Sequence, residues 1–113
     1  MIQQLEAQVR DQNGTAVVML SGEINSSAEA TLNAAYDQAI QISPDSVLLN
    51  FQGVDYINST GIALIVGLLA QSRKTHSKLV VCGLSAHYQE IFRITRLSDF
   101  MEMYDDESSA LAA

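Results

Sequence analysis

Cysteine and basic residues are both scarce in this 113-residue chain, and each scarcity removes a class of protein. The single cysteine, Cys82, cannot close an intramolecular disulfide, so a disulfide-held scaffold is excluded and a reducing, cytoplasmic setting is expected. Its surroundings, "KLVVCGL", offer only Lys78 as a nearby base, which predicts a buried structural thiol in place of a reactive one. Six Lys and Arg stand against thirteen Asp and Glu, a formal net charge of −7. Nucleic acid and anionic membranes both demand clustered cations, so neither is expected as a partner. The one local group, Arg73, Lys74 and Lys78, fits a helix end, where cations complement the carbonyl dipole. No apolar run reaches the ~20 residues that cross a bilayer, and "MIQQLEAQVRDQ" lacks the basic start and apolar middle of a signal peptide.

Catalytic signatures are also missing. Gly61 to Gly67 encloses only aliphatic residues, so there is no phosphate-binding loop ending in Gly-Lys-Ser/Thr. Ser59 has Ile57 two residues before it, where a hydrolase elbow needs glycine. His76 and His87 have no second ligand at metal spacing and read as exposed residues. Asp105, Asp106 and Glu107 suit the start of a helix better than a metal site. No enzyme activity, cofactor or metal is expected.

What the chain does have is a regular alternation of elements. Asn13-Gly14 closes a hairpin between strands at residues 2–10 and 15–21, since this pair tolerates positive φ at both central positions. Ser26 and Glu29 have capping-box spacing, followed by Ala28, Leu32, Ala35, Ala39 and Ile40 at helical intervals until Pro44. Residues 46–51 read as a buried strand and 60–74 as a helix apolar on nearly every side up to Ala70. A strand at 78–83 follows. Ser85 then caps a helix with Ile91, Phe92 and Ile94, a strand runs over 100–104, and a tail helix docks through Leu111. Together these predict a single α/β domain over 1–113: a hairpin, then alternating helices and strands on a mixed, mainly parallel sheet.

The polar knot Asn58-Ser59-Thr60-Gly61 marks where a strand's carboxyl end meets a helix. In open α/β sheets that edge gathers ligands and partners. A serine there caps the helix, and the surrounding free amides and dipole would also tolerate a phosphate carrying about −1.5 to −2 charges. The apolar helix behind it serves either to pack against a neighbour or to meet a partner.

Three stretches, "GEIN", "VDYINSTGIALIVG" and "GLSAHYQEIFRITRLSDFMEMYDDESSAL", resemble the STAS domain family, and within it the small bacterial anti-sigma factor antagonists. Asp55, Ser59 and Gly61 carry the most specific spacing. The resemblance implies a STAS fold and a regulator that is not an enzyme. Unmodified, it would bind an anti-sigma factor that is also a serine kinase of the histidine-kinase-like ATPase type, and so free a sigma factor. Phosphorylation on Ser59, with Thr60 as a secondary acceptor, would abolish binding, and a metal-dependent serine phosphatase would restore it. Asn25, Ser26, Tyr56, Asn58, Ser59, Thr60, Ile62, Ala63 and Val66 are the expected partner-binding residues. The sequence departs from the family at Asn58 and Asn25, where aspartate is usual. Two other readings are a STAS scaffold subunit that is never phosphorylated and a small-molecule or nucleotide binder using the same helix start.

Overall fold

A computed structural model describes residues 3–113. The hairpin is β1 (Glu6–Gln12) and β2 (Thr15–Ile24). Its turn forms as the dipeptide predicts, with Asn13 at φ 52° and Gly14 at φ 91°. β1 begins later than the expected residue 2, which lies outside the described residues. Gln3 still accepts a hydrogen bond from the Glu23 amide at 3.1 Å, so the chain runs alongside β2 before the ladder begins.

Three crossover units follow: α1 (Glu29–Ile40) to β3 (Ser46–Ile57), α2 (Ser59–Thr75) to β4 (Lys78–Cys82), and α3 (Ala86–Ile94) to β5 (Glu102–Tyr104). The strands lie in sequence order, β1 antiparallel to β2 and each later pair parallel. Successive crossovers of one hand place consecutive helices on one face of a sheet. That face carries the main core: Val18, Leu20, Leu49, Phe51 and Val81 against Leu32, Tyr36, Ile65, Leu68 and Phe92. The last helix, α4 (Glu107–Ala112), lies on the other face, where Leu111 and Ala110 pack on Val17, Leu48, Val80 and Cys82. The docking of Leu111 thus follows the expectation from its sequence.

Several expected details are corrected. The Ser26–Glu29 capping box is absent. Asn25 instead accepts from the Ser27 amide at 3.0 Å and opens a 3₁₀ turn, Ser26–Ala28, leaving α1 to begin at Glu29 with no side-chain cap. β3 runs on to Ile57, past Gly53 and Asp55, because its far half pairs with the end of β2 through Glu23 to Tyr56 and Ile24 to Ile57. Phe100 is outside the last strand. It ends the 3₁₀ turn Leu97–Asp99 and is 56% exposed. Ile94 is 69% exposed, and the buried positions of α3 are Tyr88 and Phe92. Ser85 caps α3 as expected, accepting from the Tyr88 amide at 3.3 Å.

Candidate functional site

The knot lies where two parallel strands stop together. β2 and β3 end at paired residues, Ile24 and Ile57, so Asn25 and Asn58 emerge side by side. The Asn58 amide donates to the Ile24 carbonyl at 3.1 Å, tying the two ends. Asn58, not Ser59, is the cap of α2: its backbone is extended, with φ −90° and ψ −178°, and its Oδ1 accepts from the Gly61 amide at 2.8 Å. Ser59 is therefore the first helical residue, relieved of capping, and its side chain is exposed. The first amides of the helix, on Ser59 and Thr60, lie ahead of any intrahelical acceptor.

Each asparagine caps the helical turn that follows it. A carboxamide oxygen accepts from a backbone amide as a carboxylate oxygen does, so the cap is made here without the negative charge an aspartate would bring. Gly61 is fixed by close approach. A β-carbon there would sit 2.2 Å from the Ile24 carbonyl oxygen and 2.9 Å from Ile57 Cγ2, so only glycine lets α2 start against the strand ends.

Beneath the knot, the Ile57 amide donates to the Tyr88 hydroxyl at 2.9 Å, a buried bond from β3 to α3. Reading the sequence missed Tyr88. Its signal was the i, i+4 spacing with Phe92, which places both on the inward face of α3. Four of the six Lys and Arg are committed to ion pairs away from the knot: Arg10 pairs with Glu107, Lys78 with Glu102, Arg93 with Glu90 and Arg96 with Asp99. No lysine or arginine occurs between Asn25 and Arg73, so neither the knot nor the first turns of α2 carry a cation.

The other expected contact residues divide between surfaces. Thr60, Ala63 and Val66 are exposed on α2, Val66 at 45%. Ile62 is half-buried and packs against the core. Ser26 is exposed at the start of the 3₁₀ turn beside Asn25. Tyr56, 52% exposed, precedes the inward-facing Ile57 and so faces the opposite side of the sheet. Half of the helix's apolarity has a packing origin. Ile65, Leu68 and Leu69 are buried, and α1 is held alongside by the Tyr36 hydroxyl at 2.9 Å from Thr75 Oγ1 and by Gln71 donating to Asn33 at 3.4 Å. Burial pushes the Tyr36 hydroxyl above its ordinary pKa.

Away from the knot, Cys82 is fully buried under α4, and burial together with Glu107 and Asp106 pushes its thiol up to about 11. Among the described residues, no cluster of three or more His, Cys, Asp or Glu is placed to hold a metal. Among the described residues, no helix is long and apolar enough to cross a membrane.

Comparison with known proteins places this arrangement. An anti-sigma-B factor antagonist of Listeria monocytogenes is 32% identical over 91 residues, 80% of this chain and 79% of the relative. The crystal structure of an anti-sigma factor antagonist from Mycobacterium paratuberculosis superposes with a TM-score of 0.82 at 21% identity, covering 96% of this chain and 92% of that one. The Bacillus cell fate determinant SpoIIAA in its phosphorylated form gives a TM-score of 0.71 at 21% identity, covering 95% and 97%. The family model for the STAS domain matches residues 6–110. With sheet order, helix placement and family model in agreement, the chain belongs to the STAS domain family.

Proposed function

We propose that this chain is an anti-sigma factor antagonist switched by phosphorylation of Ser59. Its unmodified form binds an anti-sigma factor that is a serine kinase of the histidine-kinase-like ATPase type and so frees a sigma factor. The observation that carries this reading is the position of Ser59: exposed, first in α2, and freed from capping by Asn58. A kinase can reach such a hydroxyl, and the leading amides and helix dipole accommodate the resulting dianion without unfolding the domain. Thr60, next along and also exposed, is the secondary acceptor.

The loss of binding follows from charge. The knot and the first turns of α2 have no cation of their own, so a phosphate pressed into a partner contact is desolvated without compensation from this chain. That costs several kcal/mol, and each ~1.4 kcal/mol is tenfold in affinity. A metal-dependent serine phosphatase would reset the switch. The similarity to anti-sigma factor antagonists across most of both chains supports the reading.

The test is incubation with the histidine-kinase-like serine kinases of the same genome and ATP, followed by intact-mass measurement. One phosphate is expected on the wild type, a much slower uptake through Thr60 on Ser59→Ala and none on the Ser59→Ala/Thr60→Ala double variant, and Ser59→Asp should bind the kinase at least ~tenfold more weakly than wild type. Equal affinity of wild type and Ser59→Asp, or phosphate taken up unchanged by Ser59→Ala, refutes the assignment.

A further inference from the structure

The outward face of α2 continues well past the knot. Ser59, Ala63, Val66, Ala70 and Arg73 are separated by alternating steps of four and three residues, which align them in one stripe along the helix. All five are exposed. At the far end the stripe borders an open groove of about 250 Å³, walled by Val66, Ala70, Arg73 and Phe100, with Leu69 at its base. Phe100 stands 56% exposed, and the Arg73 guanidinium sits 5.0 Å from the centre of its ring. Among the described residues, Phe100 and Val66 are two of the four exposed large apolar side chains.

Arg73 is unusual here. In a chain of net charge −7, and among the described residues, it makes no ion pair, as neighbouring Lys74 makes none, although the other four cations do, and Arg73 alone rests on an aromatic ring. A cation resting on an aromatic ring beside an apolar groove suits an aliphatic side chain flanked by a carboxylate. Arg73 lies ~21 Å from Ser59 at 1.5 Å per residue. A typical contact of ~800 Å² per partner is ~30 Å across, so one footprint reaches both.

We propose that the groove formed by Val66, Ala70, Phe100 and Arg73 is the second anchor of the kinase contact, receiving an aliphatic side chain and an adjacent carboxylate from the partner. The inference rests on the partner proposed above and adds where that partner grips. The Ser59 end is the part that phosphate can disturb. The groove end supplies affinity and selects a partner whose acidic residue lies at the matching distance.

The experiment measures the dissociation constant of the unphosphorylated chain for the kinase that modifies it, using Arg73→Glu, Phe100→Ala and Ser59→Asp. Arg73→Glu and Phe100→Ala should each weaken binding ~tenfold or more, as buried anchors do, with circular dichroism and melting close to wild type because both side chains lie on the surface. Replacing the partner's matching carboxylate with lysine should restore binding to Arg73→Glu. Groove variants within twofold of wild type, while Ser59→Asp still loses affinity, overturn the second anchor and leave the phosphorylation switch standing. The reverse pattern, with Ser59→Asp unaffected and the groove variants weakened, refutes the switch and keeps the anchor. A chain that engages none of the kinases overturns the occupant assigned to the groove.

Discussion

Replacing Gly61 by alanine should destabilise the protein, although alanine is the better helix former. In an unconstrained helix interior, Gly→Ala is favourable by up to ~1 kcal/mol because it narrows the unfolded ensemble. At Gly61 the added methyl would lie 2.2 Å from the Ile24 carbonyl oxygen and 2.9 Å from its carbon. These are backbone atoms of a strand end, and they cannot swing aside as a lysine tip would. The same carbonyl accepts the Asn58 amide at 3.1 Å, so moving it also loosens the bond that ties β3 to β2. Overpacking of this kind costs ~1–3 kcal/mol, and the rigidity of the neighbour puts the net expectation near ~2–3 kcal/mol. With a urea slope of ~1.5 kcal/mol per molar, the midpoint should fall by roughly 2 M.

Gly67 provides an internal control in the same helix. Nothing lies within 4 Å of a β-carbon there, so Gly67→Ala should raise the midpoint, by up to ~1 kcal/mol of stability. The two variants are identical in chemistry and opposite in predicted sign. Urea unfolding followed by far-UV circular dichroism decides it. Gly61→Ala as stable as wild type, or Gly67→Ala as damaging as Gly61→Ala, would refute the close-packing argument.

Asn58→Ala removes the cap of α2 and should cost ~1 kcal/mol, whereas Asn58→Asp keeps the acceptor, adds a charge favourable to the dipole and should match or exceed wild type in thermal melts. Tyr88→Phe leaves the buried Ile57 amide without its 2.9 Å acceptor. A loss of ~1–3 kcal/mol is expected, together with faster hydrogen exchange at that amide by NMR. The Cys82 thiol ionises near 9.0 when unfolded and at about 11 when folded. Between those values the unfolded chain releases a proton that the folded chain retains, so stability should fall as pH rises from 9 to 11. Urea midpoints should decline more steeply for wild type than for Cys82→Ala over that window, and parallel slopes would contradict the assigned burial.

The sequence and the structure agree where the cause is local or periodic. The Asn13-Gly14 turn, the Ser85 cap, the three crossover units and the docking of Leu111 were legible because dipeptide geometry, side-chain oxygens and hydrophobic spacing act within a few residues. The misses have non-local causes. The sequence pattern ends the third strand at residue 51, yet β3 continues past Gly53 and Asp55 to Ile57 because the end of β2, a strand distant in sequence, supplies its ladder. Ile94 reads in sequence as one of a helix's apolar residues and Phe100 as the start of the last strand, but both lie exposed and Phe100 precedes the strand, because only the packed fold decides which residues face the sheet.

The candidate site shows the same division in its two asparagines. Asn25 and Asn58 register in the sequence as two missing charges, because residue type is all that is visible there. Once folded, each places an oxygen on a backbone amide, at 3.0 Å for Ser27 and 2.8 Å for Gly61. What the strand ends require is an acceptor at that point, and carboxylate and carboxamide supply it alike. The charge is a separate property that only a phosphate or a charged partner would sense. A neutral rim lowers the repulsion a new phosphate meets at Ser59 while leaving unaltered the cap that positions it. Asn25→Asp and Asn58→Asp together should therefore preserve the fold and slow the uptake of phosphate, and a double variant phosphorylated as fast as wild type would show that the rim's charge has no part in the switch.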